Sequence, residues 1–357
     1  MKITLSAINT PVESLASVMG AMKMGDIGQS HWVTEFENRV AEYVGVKHCI
    51  ATSSGTMADA VAVAAMAKKH KCSIFVVPAL TFIAHPNSVL YNGLKIQFVD
   101  VNTDWTMNVD EALKYKDTAT AFPSDIMGRI PDYNALSGQM PILEDACEAF
   151  GDRRGFKKAG TFGEMGTFSF FVSHTITTGE GGAIVTNDDE LADLCRQLKS
   201  HGRRSETDPF NKFHFDYLGF NGKMSGLTAA FGCGVMEHVD EYIERRHEVF
   251  ERMNDALELW PAGIDYVVPH GYPVTYADTT KRNAAMKYLL ANDIECRKFF
   301  SCIPVDEEAY REQAGVAEFP NATAIAYTSL YVPCHQNLTD GDVAYVIEKV
   351  GDTWIKF

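Results

Sequence analysis

The sequence predicts an α/β fold in which helices cover both faces of a mainly parallel sheet. Two short apolar runs, 73–78 and 95–100, end at turn or breaker residues, a pattern typical of buried strands. Helical segments separate such runs. Of these, 57–69 is rich in alanine and ends in two lysines, which favours a helix and suits the negative potential at its C-terminal end. Strands that alternate with helices need crossover connections and therefore form parallel sheets in a layered domain.

Further strand signals continue the same alternation along the chain. They lie at 118–122, 141–145, 166–171 and 182–186. The pattern changes near residue 232, where Val235 to Leu259 is predicted to form one long charged helix. Helices at 280–292 and 339–355 are expected after it, with short strands before and between them. The sequence therefore predicts two domains.

The domain boundary is placed inside the long charged helix. Residues 1–240 are expected to form the large α/β domain, and residues 241–357 a smaller α+β domain. The length of 357 residues is sufficient for one large domain and one small domain.

Composition and charge exclude several classes of function. The formal net charge of -15 argues against nonspecific nucleic-acid binding, because phosphate backbones would be repelled. No run of about 18 apolar residues exists, and the first eight residues are too polar for a secretory leader, so no membrane association is expected. The eight cysteines form no C-x-x-C or C-x-C pair. We therefore expect reduced thiols, a cytoplasmic protein, and neither disulfides nor a metal site.

A small polar turn precedes the alanine-rich helix. Ser53 to Thr56 reads Ser-Ser-Gly-Thr, and the free N–H groups at a helix N-terminus attract anions. Gly55, Thr56 and Met57 are the candidate donors. An ordinary helix N-cap is the alternative interpretation of this turn.

Acidic and aromatic candidates follow two of the predicted strands. Asp145 ends a strand in Pro141 to Glu148, at the edge where open α/β sheets bind ligands. Both Asp145 and Glu148 could equally be solvated acids at a strand end. Phe82 lies in an apolar segment, where a core position is the usual explanation.

The stretch from Thr167 to Gly182, Thr-Phe-Ser-Phe-Phe-Val-Ser-His-Thr-Ile-Thr-Thr-Gly-Glu-Gly-Gly, provides the strongest signal. It resembles the cofactor-lysine loop of the DegT/DnrJ/EryC1/StrS sugar aminotransferases, which use pyridoxal phosphate (PLP). His174 occupies the position of the lysine, and an imidazole cannot form a Schiff base with PLP. The resemblance spans about residues 8–232 and implies an aspartate-aminotransferase-like fold of type I with a seven-stranded sheet.

The resemblance also assigns roles to the candidate residues. Asp145 would face the pyridine nitrogen, with Glu148 close by, and Phe82 would stack on the ring. Asn221, in the segment from Leu218 to Met224, would reach the phosphate of a neighbouring subunit, which implies a homodimer. The groups expected to hold the phosphate within one subunit are Gly55, Thr56, Met57 and Ser169.

Departures from the aminotransferase pattern predict a different reaction. Glu148 replaces a glutamine, Lys223 replaces an arginine and His174 replaces the lysine, and all three resemble the 3-dehydratase branch of the family. This resemblance predicts that pyridoxamine phosphate (PMP) and His174 remove the C3 hydroxyl of a nucleotide-linked 4-keto-6-deoxy sugar. L-Glutamate would regenerate PMP. A histidine with a pKa near 6.5 suits the proton transfers.

Two other functions remain open for the same site. The first is an atypical sugar aminotransferase that acts on a nucleotide 4-keto or 3-keto sugar without the lysine. The second is a non-catalytic protein that binds PMP. A histidine with a purely structural role would require an otherwise intact cofactor site to be idle.

Overall fold

A mainly parallel sheet organises the first two-thirds of the chain. The computed structural model describes residues 2–6, 8–204, 213–260, 265–300, 303–315 and 317–356. Its strands are β1 (His48–Thr52), β2 (Ile74–Pro78), β3 (Lys95–Val99), β4 (Ala119–Ala121), β5 (Leu143–Asp145), β6 (Arg153–Arg154), β7 (Lys157–Lys158), β8 (Met165–Ser169), β9 (Gly182–Thr186), β10 (Asp265–Tyr266), β11 (Tyr272–Thr275), β12 (Arg297–Lys298) and β13 (Ser329–Val332).

Helices precede, connect and follow these strands. They are α1 (Val12–Met24), α2 (His31–Val44), α3 (Gly55–His70), α4 (Ala84–Leu90), α5 (Val109–Ala112), α6 (Tyr133–Leu136), α7 (Asp189–Leu198), α8 (Gly226–Met236), α9 (Val239–Leu257), α10 (Thr279–Ala291), α11 (Arg311–Ala314), α12 (Pro320–Thr328) and α13 (Asp340–Lys356). Short 3-10 helices lie at Leu113–Tyr115, Ile126–Gly128, Pro304–Asp306 and Glu308–Tyr310.

The central sheet has the order β1-β9-β8-β5-β4-β2-β3. It consists of a four-stranded part, β1-β9-β8-β5, and a three-stranded part, β4-β2-β3. Parallel bridges from Ala121 to Ile142 and from Ser124 to Asp145 join the two parts between β4 and β5. Only β9 runs against its neighbours β1 and β8 among these strands of the described chain. The prediction of a mainly parallel seven-stranded sheet is confirmed. The parallel strands direct their carboxyl ends toward one edge, where α/β folds bind ligands.

Alternate residues of each strand enter two apolar clusters on opposite faces, because successive side chains of a strand point to opposite sides. Ile50 and Ile184 belong to the cluster that contains α3 and α7. Ala51 and Val185 belong to the cluster that contains α2 and α8. Both faces of the sheet are therefore covered by helices, as the continuous apolar strand runs indicate.

The C-terminal third has its own apolar cluster. Strands β11, β13 and β12 form an antiparallel sheet, and its apolar residues pack with α9, α10 and α13. Ile3, near the N-terminus, joins this cluster. The boundary between residues 240 and 241 stays a prediction.

The long charged helix is shorter than its sequence pattern indicates. Helix α8 ends at Met236, and α9 begins only at Val239 because His238 leaves the helical conformation with φ -111° and ψ 11°. Glu258 ends α9 in the left-handed region, with φ 52°. The apolar spacing continues across Glu237 and His238, so the sequence pattern did not reveal the break.

Two statements on covalent and membrane chemistry hold for the described residues. Seven cysteines are free thiols, and Cys302 lies outside the described residues. No described helix has both the length and the apolar character needed to cross a bilayer.

We expect Phe36→Ala to lower the free energy of unfolding by about 3–5 kcal/mol, since it removes a fully buried ring. Phe36 packs edge-on against Phe170 at 5.2 Å between ring centroids. Urea unfolding at matched protein concentration measures the change. Phe156→Ala is the control, because its side chain is fully exposed and its removal should change stability by less than about 0.5 kcal/mol. Equal losses for both variants would contradict the packing described.

Candidate active site

A cavity of about 730 Å³ opens at the carboxyl ends of β5 and β8, beside the N-terminus of α3. The loop between β8 and β9 covers one side, and His270, Arg297 and Tyr331 line it from the C-terminal third. The fold thus brings together side chains that are more than 200 residues apart in the sequence. The predicted site residues that line this cavity are Gly55, Thr56, Phe82, Asp145, Glu148, Ser169 and His174.

The N-terminus of α3 forms an anion cradle. The Ser54 hydroxyl caps the helix by accepting the Met57 N–H at 3.1 Å. The earlier N–H groups of the first turn have no carbonyl partner within the helix. A Cβ at Gly55 would lie 2.7 Å from the Ser169 Cβ, so only glycine fits between the helix and β8. Backbone donors, the helix dipole and the Ser169 hydroxyl together fit a phosphate group.

A buried carboxylate also lines the cavity. Asp145 is 6% exposed, and its Oδ1 accepts the Cys147 N–H at 3.1 Å. Its Oδ2 lies 3.4 Å from Nδ1 of His85. Burial lowers the pKa of His85 to about 4, although the charge of Asp145 acts in the opposite direction. His85 is therefore neutral near pH 7 and leaves Asp145 without a full counter-charge.

His85 is a site residue that the sequence reasoning missed. Its ring is 1% exposed and lies edge-on to Phe122, with 3.9 Å between the ring centroids. Nδ1 also lies 2.9 Å from the Thr81 hydroxyl, whereas Nε2 has no partner among the described residues. One sequence feature indicates a place for His85 near the site: it lies three residues after Phe82, in the segment that follows a buried strand.

A second acid accompanies Asp145. Asp59 on α3 is buried and accepts a hydrogen bond from the Thr167 hydroxyl at 2.6 Å. Burial and the charge of Asp145 raise the pKa of Asp59 well above its ordinary value, which favours the protonated form of Asp59. One ligand atom each of Asp59, Asp145 and Cys147 lies within 4.8 Å of the others. A protonated Asp59 makes this a poor cation site, and a protonated pyridine nitrogen is a better partner for Asp145.

His174 lies in the loop between β8 and β9. Its backbone N–H donates to the Phe171 carbonyl at 3.0 Å. The Thr178 N–H and the Thr177 hydroxyl both donate to the Phe170 carbonyl, which closes the loop. Burial and then the positive charge of Arg246 lower the pKa of His174 to about 4. The half-buried imidazole is therefore neutral near pH 7 and can accept a proton.

Glu148 is a third acid of the cavity lining. Its Oε2 accepts the Met127 N–H at 3.0 Å. Burial raises the pKa of Glu148 to about 7, with a further contribution from the charge of Asp145. Near neutral pH its carboxyl group exists in both forms, and only the protonated form can donate a hydrogen bond.

The remaining predicted residues occupy other positions. Phe82 is 58% exposed at the cavity, with 6.3 Å between its ring centroid and that of Phe300. Met57 packs against Gly222, and its N–H is already bound by Ser54. Asn221 is exposed, and its backbone pairs with Ser200. Its role in a neighbouring subunit stays a prediction.

Known proteins resemble this chain over almost its full length. The model of the DegT/DnrJ/EryC1/StrS aminotransferase family matches residues 10–351. A GDP-perosamine synthase of Caulobacter vibrioides is 35% identical over 337 residues, which cover 88% of each chain. Further relatives, 27–29% identical, are named GDP-perosamine synthases or sugar transaminases.

Solved structures share the fold at lower sequence identity. A Helicobacter pylori aminotransferase involved in the biosynthesis of pseudoaminic acid has a TM-score of 0.91, 22% identity and 100% coverage of both chains. An Escherichia coli GDP-4-keto-6-deoxy-D-mannose-3-dehydratase with bound hydrated PLP has a TM-score of 0.90 and 22% identity, and the match covers 98% of this chain and 99% of the dehydratase. Both activities therefore occur on this fold.

The prediction of a 3-dehydratase is wrong. Four sequence relatives with 27–35% identity are named as GDP-perosamine synthases or as a sugar transaminase, which contradicts a lyase as the main function. The physical reason is that His174 and Glu148 show which groups can exchange protons. They do not decide whether a hydroxyl leaves, because transamination also needs a proton removed and returned.

We expect Gly55→Ala to weaken PLP binding by about tenfold or more, because the added methyl group fills the cradle and displaces Ser169. Absorbance titration of PLP measures the affinity. Gly20→Ala is the matched control, since its new Cβ would approach no described atom closer than 3.8 Å. Unchanged PLP affinity in Gly55→Ala would contradict the assignment of this cradle to the phosphate.

The affinity for PLP should fall as the pH rises through about 7, and Glu148→Gln should remove this step. Below that pH the Glu148 carboxyl is mainly protonated and can donate to the anionic cofactor. Above it, the carboxylate adds a second negative charge beside Asp145. Titrations of both proteins from pH 6 to 8.5 measure the ratio of their affinities, in which the titration of PLP itself cancels. A constant ratio would show that Glu148 does not titrate in this range.

Proposed function

The chain belongs to the DegT/DnrJ/EryC1/StrS aminotransferase family, and on that premise we propose that it is a nucleotide-sugar aminotransferase. It transfers the amino group of L-glutamate to the keto carbon of a nucleotide-linked 4-keto-6-deoxy sugar. The observation that carries this proposal is the 35% identity to a GDP-perosamine synthase across 88% of both chains. Two further relatives are named as transaminases of 4-amino-4,6-dideoxy sugars, which supports C4 as the aminated position.

The cofactor is PLP, with PMP as its amino form. When bound, it carries the amino group between donor and acceptor and supplies an electron sink. The site fits this cofactor at both ends, because a phosphate suits the Gly55 cradle and a protonated pyridine nitrogen suits the buried Asp145. Phe82 and Glu148 are proposed to contact the ring between these ends.

Asp145 holds the proton on the pyridine nitrogen in this proposal. Its carboxylate is buried and its nearest basic group, His85, is neutral, so the ligand must supply the opposite charge. The short contacts of His85 to Asp145 and to Thr81 keep the carboxylate in place. At the other end, the N–H groups of Gly55 and Thr56 and the Ser169 hydroxyl bind the phosphate.

His174 moves the proton of the reacting carbon. A ring nitrogen that is neutral at pH 7 accepts this proton and returns it to the neighbouring position. Because histidine replaces lysine, no covalent bond to the protein holds the cofactor in the resting state. Retention of the cofactor therefore depends on the phosphate cradle and on Asp145, and both forms of the cofactor must bind without a tether.

The substrate and partner assignments extend the same proposal. A GDP-linked sugar is the first candidate, because three relatives are named GDP-perosamine synthase. Arg297 and Lys298 line the cavity from β12 and are the described cations best placed for the nucleotide phosphates. A homodimer in which Asn221 completes the neighbouring site is proposed, and so is a cytoplasmic location.

We expect the protein, incubated with PLP, ¹⁵N-labelled L-glutamate and a panel of GDP-, dTDP- and UDP-linked 4-keto-6-deoxy sugars, to form an amino sugar that carries ¹⁵N. Mass spectrometry of the sugar and of 2-oxoglutarate, formed in equal amount, tests the proposal. His174→Asn keeps a polar side chain but cannot take up the proton, so kcat should fall by about 10²–10⁴.

PLP binding by His174→Asn serves as the control, since it should remain close to that of the parent. A deoxygenated product without nitrogen, or 2-oxoglutarate formed with no sugar product across the panel, would overturn the proposed function. Full activity of His174→Asn would remove His174 from the proton transfers.

A further inference from the structure

A second histidine lies beside His174 in the cavity. His270 lies between Val268 and β11, in the C-terminal third, and lines the same cavity. The ring centroids of His174 and His270 are 5.0 Å apart, and the rings are tilted by 52°. Tyr331 lies on β13, and its ring centroid is 6.0 Å from that of His270. The fold thus places two imidazoles from distant parts of the chain side by side.

No direct hydrogen bond joins the two rings, and polar atoms of both lack partners among the described residues. Nδ1 of His270 is buried and has no hydrogen-bond partner among the described residues. The described residues also provide no hydrogen bond to the ring nitrogens of His174, whose only recorded bond is made by its backbone N–H. A buried polar atom without a partner is costly. The nearest polar ring to each histidine is the other one.

A buried arginine fixes the segment that carries His270. Arg246 on α9 is 1% exposed and donates from Nη1 to the carbonyls of Pro269 at 3.0 Å and of Cys334 at 3.1 Å. Nη2 of Arg246 donates to the Gln336 side chain at 2.8 Å. The backbone beside His270 is thereby tied to α9 and to the segment after β13. The position of His270 opposite His174 is set by the fold and not by a flexible loop.

Burial, together with the charges around the pair, keeps both rings neutral. Burial is the largest cause that lowers the pKa of each histidine. Arg246 adds to the effect on both, and His174 and Arg297 add to the effect on His270. A neutral imidazole has one nitrogen that donates and one that accepts, and the hydrogen bond made by one nitrogen decides which of them carries the proton.

We propose that His270 is a positioning residue that fixes the tautomer of His174. One ring nitrogen of His174 donates its N–H to a bridging water, and that water donates to Nδ1 of His270. The other nitrogen of His174 is then left unprotonated toward the cavity, where the proposed transamination needs a base. No proton is gained or lost by the pair in the resting state. This inference rests on the proposed function only for the identity of the reaction that His174 serves.

We expect His270→Phe to abolish the single tautomer of His174, and His270→Gln to preserve it. Phenylalanine fills the same space but cannot accept a hydrogen bond, whereas the glutamine amide oxygen can. Long-range ¹⁵N–¹H NMR of histidine-labelled, cofactor-free protein distinguishes protonated from unprotonated ring nitrogens. The signals of His174 are assigned by their loss in His174→Asn. This readout needs neither cofactor nor substrate.

His335→Gln is the matched control for the arginine environment. His335 is buried, and burial and Arg246 also lower its pKa. Its Nε2 lies 3.0 Å from the Thr4 carbonyl, and it does not line this cavity. The tautomer of His174 should be unchanged in this variant. A changed tautomer in His335→Gln and in His270→Gln alike would show a general packing effect and would overturn the proposal.

Turnover provides the second measurement. His270→Phe should lower kcat by about tenfold or more, up to the ~10²–10⁴-fold that general-base catalysis contributes, with KM little changed. His270→Gln should recover most of kcat. A His174 tautomer that persists in His270→Phe, or activity that follows side-chain volume and not hydrogen bonding, overturns the inference.

The two proposals fail in different ways. If the parent makes no amino sugar but the tautomer responds as expected, the proposed function fails and the pairing stands. If the parent makes the amino sugar and the tautomer ignores His270, only the pairing fails.

Discussion

A buried carboxylate without a full counter-charge is the constraint on which the site depends. Asp145 is the last residue of β5, at the carboxyl edge of the sheet, and it is buried. The base beside it, His85, is neutral because burial lowers the pKa of His85 to about 4. An isolated buried charge is expensive, so a cation from the ligand stabilises it strongly. The strand order places the phosphate cradle of α3 at the same edge. The Gly55 cradle and Asp145 together therefore favour binding of a molecule that combines a phosphate with a protonated ring nitrogen.

Reaction type depends on a different set of contacts from cofactor binding. His174 provides a neutral base near pH 7, but both amination and dehydration begin with removal of a proton. Whether a hydroxyl departs depends on how the sugar is oriented against an acid. Arg297, Phe300 and Tyr331, which belong to the C-terminal third, line the cavity in which that orientation would be set. The histidine substitution therefore predicts that no Schiff base joins the cofactor to residue 174, but it does not predict the product. For this reason the dehydratase prediction was wrong, and the names of the sequence relatives showed the error.

The sequence predicted the sheet and the residues of contiguous motifs better than it predicted isolated partners. Continuous apolar runs indicate β2 to β5, β8 and β9 correctly because both faces of a parallel sheet are buried. Gly55, Asp145 and Ser169 lie next to such runs, so their place at the cavity followed from the strands. His85 and His270 were missed because a single histidine carries no periodic signal and its significance comes only from tertiary contacts. Likewise, the break between α8 and α9 interrupts an apolar spacing that does not change at Glu237.

His174 and Glu148 line the same cavity although they lie on different segments. A lysine at position 174 would place a cation in the cavity and would favour the ionised form of nearby carboxyl groups. With a neutral imidazole there, burial and Asp145 raise the pKa of Glu148 to about 7. A glutamate that can stay protonated avoids a second buried negative charge and can still donate to the cofactor. Both departures from the aminotransferase pattern leave groups that can accept or donate a proton, and they are therefore compatible with transamination.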